Sequence, residues 1–260
     1  MARLACKLTY DGTDFAGYQV QPNQRTVQAE LEAALRIIHK GVHIPVVASG
    51  RTDARVHAAG QVIHFDTSLE IPAEKWPQVL NTRLPEDIGV EEVEEVSEDF
   101  HARFHTVSKE YRFYVTTGTK PNVFRRNQAV HIREELDVPA MQTAALALLG
   151  THDFSTFCAA NTSVQDKTRT ITQIVVQPRG KEIEFAVCGS GFLYNMVRII
   201  VGTLLEVGTG KRKASEMATI LASCDRLKAG KTAPPHGLYL WRVSYEPALF
   251  AGRKLSETPG

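Results

Sequence analysis

Short segments in which every second residue is apolar recur along the chain, and amphipathic helical segments separate them. The first, ARLACKLTYDGT, places Leu4, Cys6 and Leu8 on one face and ends in Asp-Gly, which is typical of a strand followed by a turn. The spacing of apolar residues then changes to that of an amphipathic helix in RTVQAELEAALRIIHKG. This segment has a candidate N-cap at Thr26 and a helix stop signal at Gly41. A chain that mixes both periods throughout is expected to be α+β, with helices on a mostly antiparallel sheet.

The same order of patterns occurs in both halves of the chain. In the first half we expect further strands at 43–50, 60–69 and 88–96 and a short helix at 72–84. In the second half we expect strands at 109–117, 130–132, 168–179, 181–190 and 237–247, and helices at 138–150, 192–210 and 213–224. This similarity predicts two related α/β halves that face one another, residues 1–105 and 106–247, followed by a tail at 248–260.

Composition and charge exclude several classes of protein. The 260 residues are 43% apolar and 23% charged, which is typical of a soluble globular chain rather than a collagen, a coiled coil or a disordered segment. We expect neither a signal peptide nor a membrane span. Four widely spaced cysteines predict reduced thiols and a cytoplasmic location. The net charge is +1, but it divides into −6 over residues 1–105 and +7 over residues 106–260, which leaves a basic groove open as a hypothesis.

The densest polar cluster lies at residues 48–58, between two apolar strands. Functional side chains often occupy loops of this kind because a rigid scaffold positions them. Arg51 stands two residues before Asp53, and a guanidinium at that distance can keep a carboxylate ionised by lowering its pKa. On spacing alone, we favour the interpretation that Asp53 is a turn or helix cap and Arg51 its surface partner.

Three other features are weaker candidates. His101 and His105 have the spacing of a metal-binding pair, but neither an HExxH pattern nor a third ligand accompanies them, so we expect no metal. The run from Gly208 to Arg212 follows a helix instead of opening one, which favours a helix C-terminus over a phosphate loop. Arg198 interrupts an apolar helix, and a buried arginine requires a carboxylate partner from elsewhere in the fold.

Several of these segments together resemble a known family. SGRTDARVHA at 49–58 is similar to the GRTDAGVHA signature of the tRNA pseudouridine synthases of the TruA family, which modify tRNA positions 38–40. Further similar motifs follow in the family's order and span almost the whole chain: LTYDGTDFAGYQVQ near the start, FHARF at 100–104, KEYRFY at 109–114, GTHDFSTF at 150–157, GSGFLYNMVRIIVG at 189–202 and APPHGLYL at 233–240.

The resemblance implies a pseudouridine synthase fold and an activity. Asp53 matches the catalytic aspartate, with Arg51 beside it, and Tyr111 matches the tyrosine that stacks on the target uracil. Arg198 matches an arginine that pairs with the catalytic carboxylate. The family also implies a homodimer that binds the tRNA anticodon stem-loop in basic clefts and needs no cofactor or metal. For the basic groove we single out two clusters, Arg125 with Arg126, and Lys211 to Lys213.

One departure from the family motif concerns Arg55, which stands where the family has glycine. If this position requires a positive φ, the side chain costs about 1 kcal/mol. A non-catalytic tRNA-binding protein on the same scaffold, with Arg55 as the mark of lost activity, is the alternative function. A hydrolase of glycosidic bonds is a third, but it needs a second carboxylate that no motif supplies.

Overall fold

The computed structural model describes residues 1–160 and 164–250. The chain divides into two compact units. The first comprises Met1–Ala54, Ala58–Val107 and the chain from Arg242 on, and the second comprises Arg55–His57 and Ser108–Trp241. The boundaries at 105/106 and 247/248 stay a prediction, and residues 251–260 of the tail lie outside the described residues.

The first unit consists mainly of an antiparallel sheet and two helices. Its elements are β1 (Ala2–Tyr10), α1 (Val27–Ile38), β2 (Val47–Ala48), β3 (His57–Thr67, within the unit from Ala58), α2 (Trp76–Asn81) and β4 (Ile88–Val96). Strand β1 pairs with β3 on one side and β4 on the other, and β2 pairs with β3, all antiparallel. The predicted N-cap is confirmed, because the side chain of Thr26 accepts a hydrogen bond from the backbone N–H of Ala29 at 3.4 Å.

Buried aromatic and aliphatic side chains hold the helices of the first unit on its sheet. Trp76 of α2 is fully buried and lies edge-on to Phe65 of β3, with 5.3 Å between the ring centroids. The ring of His39, which caps the C-terminus of α1, also stacks on Trp76, with 6.0 Å between the ring centroids. Leu31 and Leu35 form the apolar face of α1 and are 1% exposed, which is what the helical spacing predicts.

Like the first unit, the second unit combines a β-sheet with α-helices. Its elements are β5 (Thr106–Thr117, within the unit from Ser108), β6 (Val130–Ile132), α3 (Val138–Leu146), β7 (Gly150–Asp153), β8 (Thr168–Arg179), β9 (Glu182–Gly189), α4 (Met196–Gly208), α5 (Met217–Ala222) and β10 (Leu238–Tyr245, within the unit up to Trp241). Strands β5, β9, β8 and β7 follow one another in antiparallel pairs, and β6 pairs parallel with β5. Phe113, Phe185 and Ile200 lie fully buried in its core.

The predicted fold class, α+β with a large, mostly antiparallel sheet, is confirmed. Several elements differ from their predictions; the strand expected at 43–50, for example, comprises only Val47–Ala48, and the helix expected at 213–224 comprises only Met217–Ala222. The helix expected from residue 192 begins only at Met196, because Asn195 adopts a left-handed conformation with φ 60°. Strand β7 was not predicted, since its four residues lack apolar alternation. In the described part of the chain, no helix has the length and apolarity to cross a membrane.

Candidate active site

Residues 49–56 form the loop that carries Asp53, and buried polar side chains of the first unit hold the beginning of this loop. Ser49 is fully buried and donates its hydroxyl to the side-chain oxygen of Gln61 at 2.7 Å. The amide nitrogen of Gln61 donates back to the carbonyl oxygen of Gly50 at 2.8 Å. Gln61 is fully buried on β3, so one side chain fixes two consecutive residues of the loop.

The residue directly before Asp53 is held by two tyrosines. The hydroxyls of Tyr10 and Thr52 form a hydrogen bond of 2.8 Å, and the backbone N–H of Tyr18 donates to the carbonyl oxygen of Thr52 at 3.0 Å. Burial raises the pKa of Tyr10 to about 12, so its hydroxyl stays protonated at neutral pH. Thr52 therefore has both its side chain and its carbonyl oxygen fixed.

A glycine packs directly against the backbone of the loop. Gly17 has φ +113°, a conformation that side chains strongly disfavour. A Cβ at this position would lie 3.0 Å from the carbonyl oxygen of Thr52 and 3.3 Å from the backbone of Asp53 and Ala54. The close approach therefore requires glycine, and it leaves the loop no space to move toward Gly17.

Asp53 and Arg51 lie on the same loop with different exposure. Asp53 is half-buried, whereas Arg51 is exposed two residues earlier. Arg55, two residues after Asp53, adopts φ 63°. The position that is glycine in the similar signature therefore does have a left-handed backbone here, and the arginine side chain costs about 1–2 kcal/mol.

His57 holds the end of this loop in the second unit. Its Nε2 donates to the carbonyl oxygens of Asn127 at 2.8 Å and of His236 at 3.2 Å, and its ring stacks on Tyr239 with centroids 4.6 Å apart. Burial, together with the charges of Arg55, His57 and Arg198, lowers the pKa of His236. His236 is therefore neutral at physiological pH.

Tyr111 lies on β5 of the second unit. Its backbone is paired with Val187 of β9, and its side chain is half-buried. The ring packs edge-to-face against Phe192, with centroids 5.1 Å apart and an angle of 84° between the planes. The two rings therefore fix one another's orientation.

Arg198 lies in the first turn of α4, and its side chain is fixed within the second unit. Its Nε donates to the carbonyl oxygen of Ala233, and its Nη1 donates to the side-chain oxygen of Asn195, both at 2.8 Å. Gly202, one turn further along the helix, permits this arrangement, because a Cβ there would lie 1.7 Å from the carbonyl oxygen of Lys231. The segment that accepts the Arg198 hydrogen bond can therefore approach the helix closely.

Comparison with known proteins identifies the family. The tRNA pseudouridine synthase family model matches residues 5–105 and 144–246. The chain belongs to the tRNA pseudouridine synthase family. A tRNA pseudouridine synthase A of Shouchella clausii is 64% identical over 260 residues, covering 100% of this chain and 98% of that protein. The tRNA pseudouridine synthase A of Bacillus subtilis is 56% identical over 245 residues, covering 94% and 99% respectively.

A solved structure also resembles this member of the pseudouridine synthase family. A chain of a Cbf5-Nop10-Gar1 complex has a TM-score of 0.33 and 13% sequence identity, with 77% of this chain and 54% of that chain covered. A likeness of this degree carries no argument about the site. The identification depends on the family model and on the relatives with high sequence identity.

In this member of the pseudouridine synthase family, several residues around Asp53 had no role assigned from sequence. Gln61, Tyr10 and Gly17 hold the Asp53 loop, but they lie 8, 43 and 36 positions from Asp53 in the chain. Tyr10 and Gly17 do fall in LTYDGTDFAGYQVQ, a segment similar to the family, so the motif itself was the available signal. Gln61 stands among apolar residues of a strand, where a buried amide indicates a hydrogen-bonding role.

The histidine pair of the sequence analysis has a structural role in the first unit. The Nδ1 of His101 accepts the backbone N–H groups of Arg103 at 3.2 Å and Phe104 at 3.3 Å. His64 accepts the N–H of Ala102 in the same way at 3.1 Å. Among residues 1–160 and 164–250, no group of three or more His, Cys, Asp or Glu side chains is arranged to hold a metal ion.

Two of the five basic residues named for a groove form ion pairs. Arg125 donates to both carboxylate oxygens of Glu182, at 2.6 and 2.8 Å, and Arg212 pairs with Glu206 at 2.5 Å. The run from Gly208 to Arg212 is a helix C-terminus, as expected, because Gly210 has φ +72° and donates to the carbonyl oxygen of Val207.

Proposed function

We propose that the chain isomerises uridine to pseudouridine at positions 38, 39 and 40 of the tRNA anticodon stem-loop, with Asp53 as the reacting carboxylate. The observation that carries this proposal is the loop around Asp53. The hydrogen bonds of Gln61 and Tyr10 and the close approach of Gly17 hold this loop. Asp53 itself stays partly accessible. A rigid loop that presents one accessible carboxylate is suited to positioning a reacting group.

The reaction requires the base to be detached, turned and rejoined. The bond from ribose carbon 1′ to uracil nitrogen 1 breaks, and a bond from carbon 1′ to uracil carbon 5 forms. Carbon 5 loses its proton, nitrogen 1 gains one, and no oxidant or cofactor is consumed. The Asp53 carboxylate has three routes open to it: attack on the sugar, attack on the base, or removal of a ribose proton.

Two guanidinium groups keep Asp53 ionised in this proposal. Arg51 is assigned this role because it lies on the same loop as Asp53. Arg198 is assigned it because it matches the family arginine that pairs with the catalytic carboxylate. The two hydrogen bonds of Arg198, to Ala233 and Asn195, support its role because they restrict the side chain before substrate binds. A cation that is already oriented stabilises developing negative charge without reorganisation.

Tyr111 is proposed to receive the uracil after it leaves its stack. Edge-to-face packing on Phe192 orients the ring of Tyr111, and an aromatic face stabilises an unstacked base by about 1–3 kcal/mol. The Tyr111 oxygen is proposed to take the proton from uracil carbon 5 while its own hydroxyl proton passes to water, since a group within hydrogen-bonding distance is needed at that step.

The remaining features follow from the family. We propose that the chain works as a cytoplasmic homodimer and that both copies bind the tRNA. The positive net charge of residues 106–260 supports a polyanionic partner. No metal and no cofactor take part in the proposed reaction.

The test is tritium release from tRNA whose uridines are labelled at carbon 5. We expect release by the native chain and none by Asp53→Asn, which has nearly the same shape but no ionised carboxylate. Asp14→Asn is the matched control, because Asp14 is an exposed carboxylate of the same unit. Release by Asp53→Asn at the native rate would overturn the assignment of Asp53, and no release by the native chain would overturn the proposed activity.

A further inference from the structure

The connection between β5 and β6, residues 118–129, carries an exposed aromatic residue among basic ones. Phe124 is 86% exposed and its neighbour Val123 is 61% exposed. Lys120 and Arg126 are also exposed. The segment from Lys120 to Asn127 contains three cationic and no acidic residues. We call residues 120–127 the Phe124 loop.

The Phe124 loop has a defined backbone. The side-chain oxygen of Asn122 accepts the N–H of Phe124 at 3.0 Å, and Arg126 donates to the carbonyl oxygen of Val123 at 2.8 Å. Arg125 is anchored by its two hydrogen bonds to Glu182 of β9. The aromatic ring is thus exposed on a turn that these hydrogen bonds stabilise, which lowers the entropic cost of a contact.

The end of the Phe124 loop is attached to the residues that follow Asp53. The carbonyl oxygen of Asn127 accepts a hydrogen bond from His57, and that of Gln128 accepts one from Tyr239 at 3.2 Å. His57 follows Asp53 by four residues. Three peptide units separate Phe124 from Asn127, so their Cα atoms are at most about 11 Å apart.

We propose that the Phe124 loop binds the RNA backbone and one base next to the reacting uridine. This inference rests on the proposed function. When a base leaves its stack, the faces of its neighbours are exposed, and an aromatic side chain can cover one of them. Phe124 stacks on such a base, while Lys120 and Arg126 contact phosphates. Arg125 serves as an anchor, since Glu182 already compensates its charge.

The charge of the Phe124 loop favours RNA over a second copy of the chain as its partner. Because Arg125 is paired with Glu182, Lys120 and Arg126 are the two exposed cations of this loop beside the exposed ring of Phe124. A phosphate backbone complements that arrangement, and its contribution to affinity decreases with salt in a predictable way. The salt dependence therefore separates a phosphate contact from an apolar contact with protein.

The test measures binding of an unmodified tRNA transcript with uridine at position 39, together with single-turnover tritium release. We expect Phe124→Ala to raise the Kd by about 5- to 100-fold with no change in the salt slope, and Phe124→Trp to restore affinity. Lys120→Gln and Arg126→Gln should each reduce the slope of log K against log salt by about 0.7–0.9. The matched controls are Leu227→Ala, which removes another exposed apolar side chain, and Arg83→Gln, which removes another exposed cation.

The outcomes separate this inference from the proposed function. Native Kd and salt slope in all the loop variants, with tritium release intact, would overturn the role of the Phe124 loop alone. A Kd unchanged by Phe124→Ala, with a lower molecular mass in sedimentation, would assign the ring to a protein contact and also overturn it. Binding that depends on the loop, without tritium release by the native chain, would overturn the proposed reaction and leave the RNA contact standing.

Discussion

Replacement of Gly17 by alanine tests whether the backbone contact at Thr52 positions the Asp53 loop. Alanine at φ +113° costs about 1–2 kcal/mol in backbone strain. The new Cβ would also lie 3.0 Å from the carbonyl oxygen of Thr52, which is closer than ordinary van der Waals contact. Because the loop is hydrogen-bonded on its other sides, we expect a total loss of about 2–3 kcal/mol in unfolding free energy.

Gly41→Ala provides the matched control for this change. Gly41 has φ +98°, and a Cβ there would meet no atom within 4 Å. The control therefore carries the backbone strain without the contact. For a chain of this size the melting temperature falls by about 2–4 °C per kcal/mol, so we expect a decrease of about 4–12 °C for Gly17→Ala and a smaller one for Gly41→Ala.

We expect kcat to differ more between the two glycine variants than their melting temperatures do. A displacement of a reacting group by about 1 Å can reduce the rate about a hundredfold, so we expect kcat to fall about 10- to 100-fold in Gly17→Ala. Gly41→Ala should retain the native kcat below its melting temperature. The assay is single-turnover tritium release at saturating enzyme, with thermal melting measured in parallel. A kcat for Gly17→Ala within about twofold of native would refute the role of this contact.

Three further changes test other parts of the site and the fold. We expect Tyr111→Phe to bind tRNA with the native Kd and to release tritium about a hundredfold more slowly, because the ring remains and the proton acceptor is lost; a native release rate would contradict the proton-transfer role. Arg55→Gly relieves the strain at φ 63° and should leave the rate unchanged or raised, whereas a loss of more than about tenfold would mean that the Arg55 side chain contacts the substrate. Burial, together with the charges of Arg3 and His101, lowers the pKa of His64 from 6.5 to about 4. The unfolded chain therefore takes up a proton at His64 between about pH 6.5 and pH 4 that the folded chain excludes, so this contribution to stability is complete above pH 6.5 and is lost as the pH falls through that window. His64→Gln keeps an acceptor for the N–H of Ala102, and its urea midpoint should change less with pH across the window; an equal pH dependence in both chains would contradict this origin.

Local patterns determined much of the fold because the interactions behind them are short in sequence. The N-cap of α1 needs only Thr26 and the residue three positions later, and the strand at 88–96 needs only alternation within nine residues. Asp53, Arg51, Tyr111 and Arg198 are predicted as site residues only through motifs that resemble those of a family. Spacing alone had left Asp53 open as a turn cap, since a lone Arg and Asp two residues apart occur for many reasons.

Interactions between distant parts of the chain decided the rest. That Gln61 and Tyr10 hold the Asp53 loop depends on the register of β1, β3 and the loop between β2 and β3, which no single segment contains. The conformation of Arg55 and the ion pair of Arg125 with Glu182 are likewise set by what packs around them. The sequence by itself determined most helices and strands and the family of this protein, because both are recognised from patterns within short segments. Only the tertiary structure decided which buried groups hold the Asp53 loop and which cations form ion pairs, because these depend on distances between residues far apart in the chain.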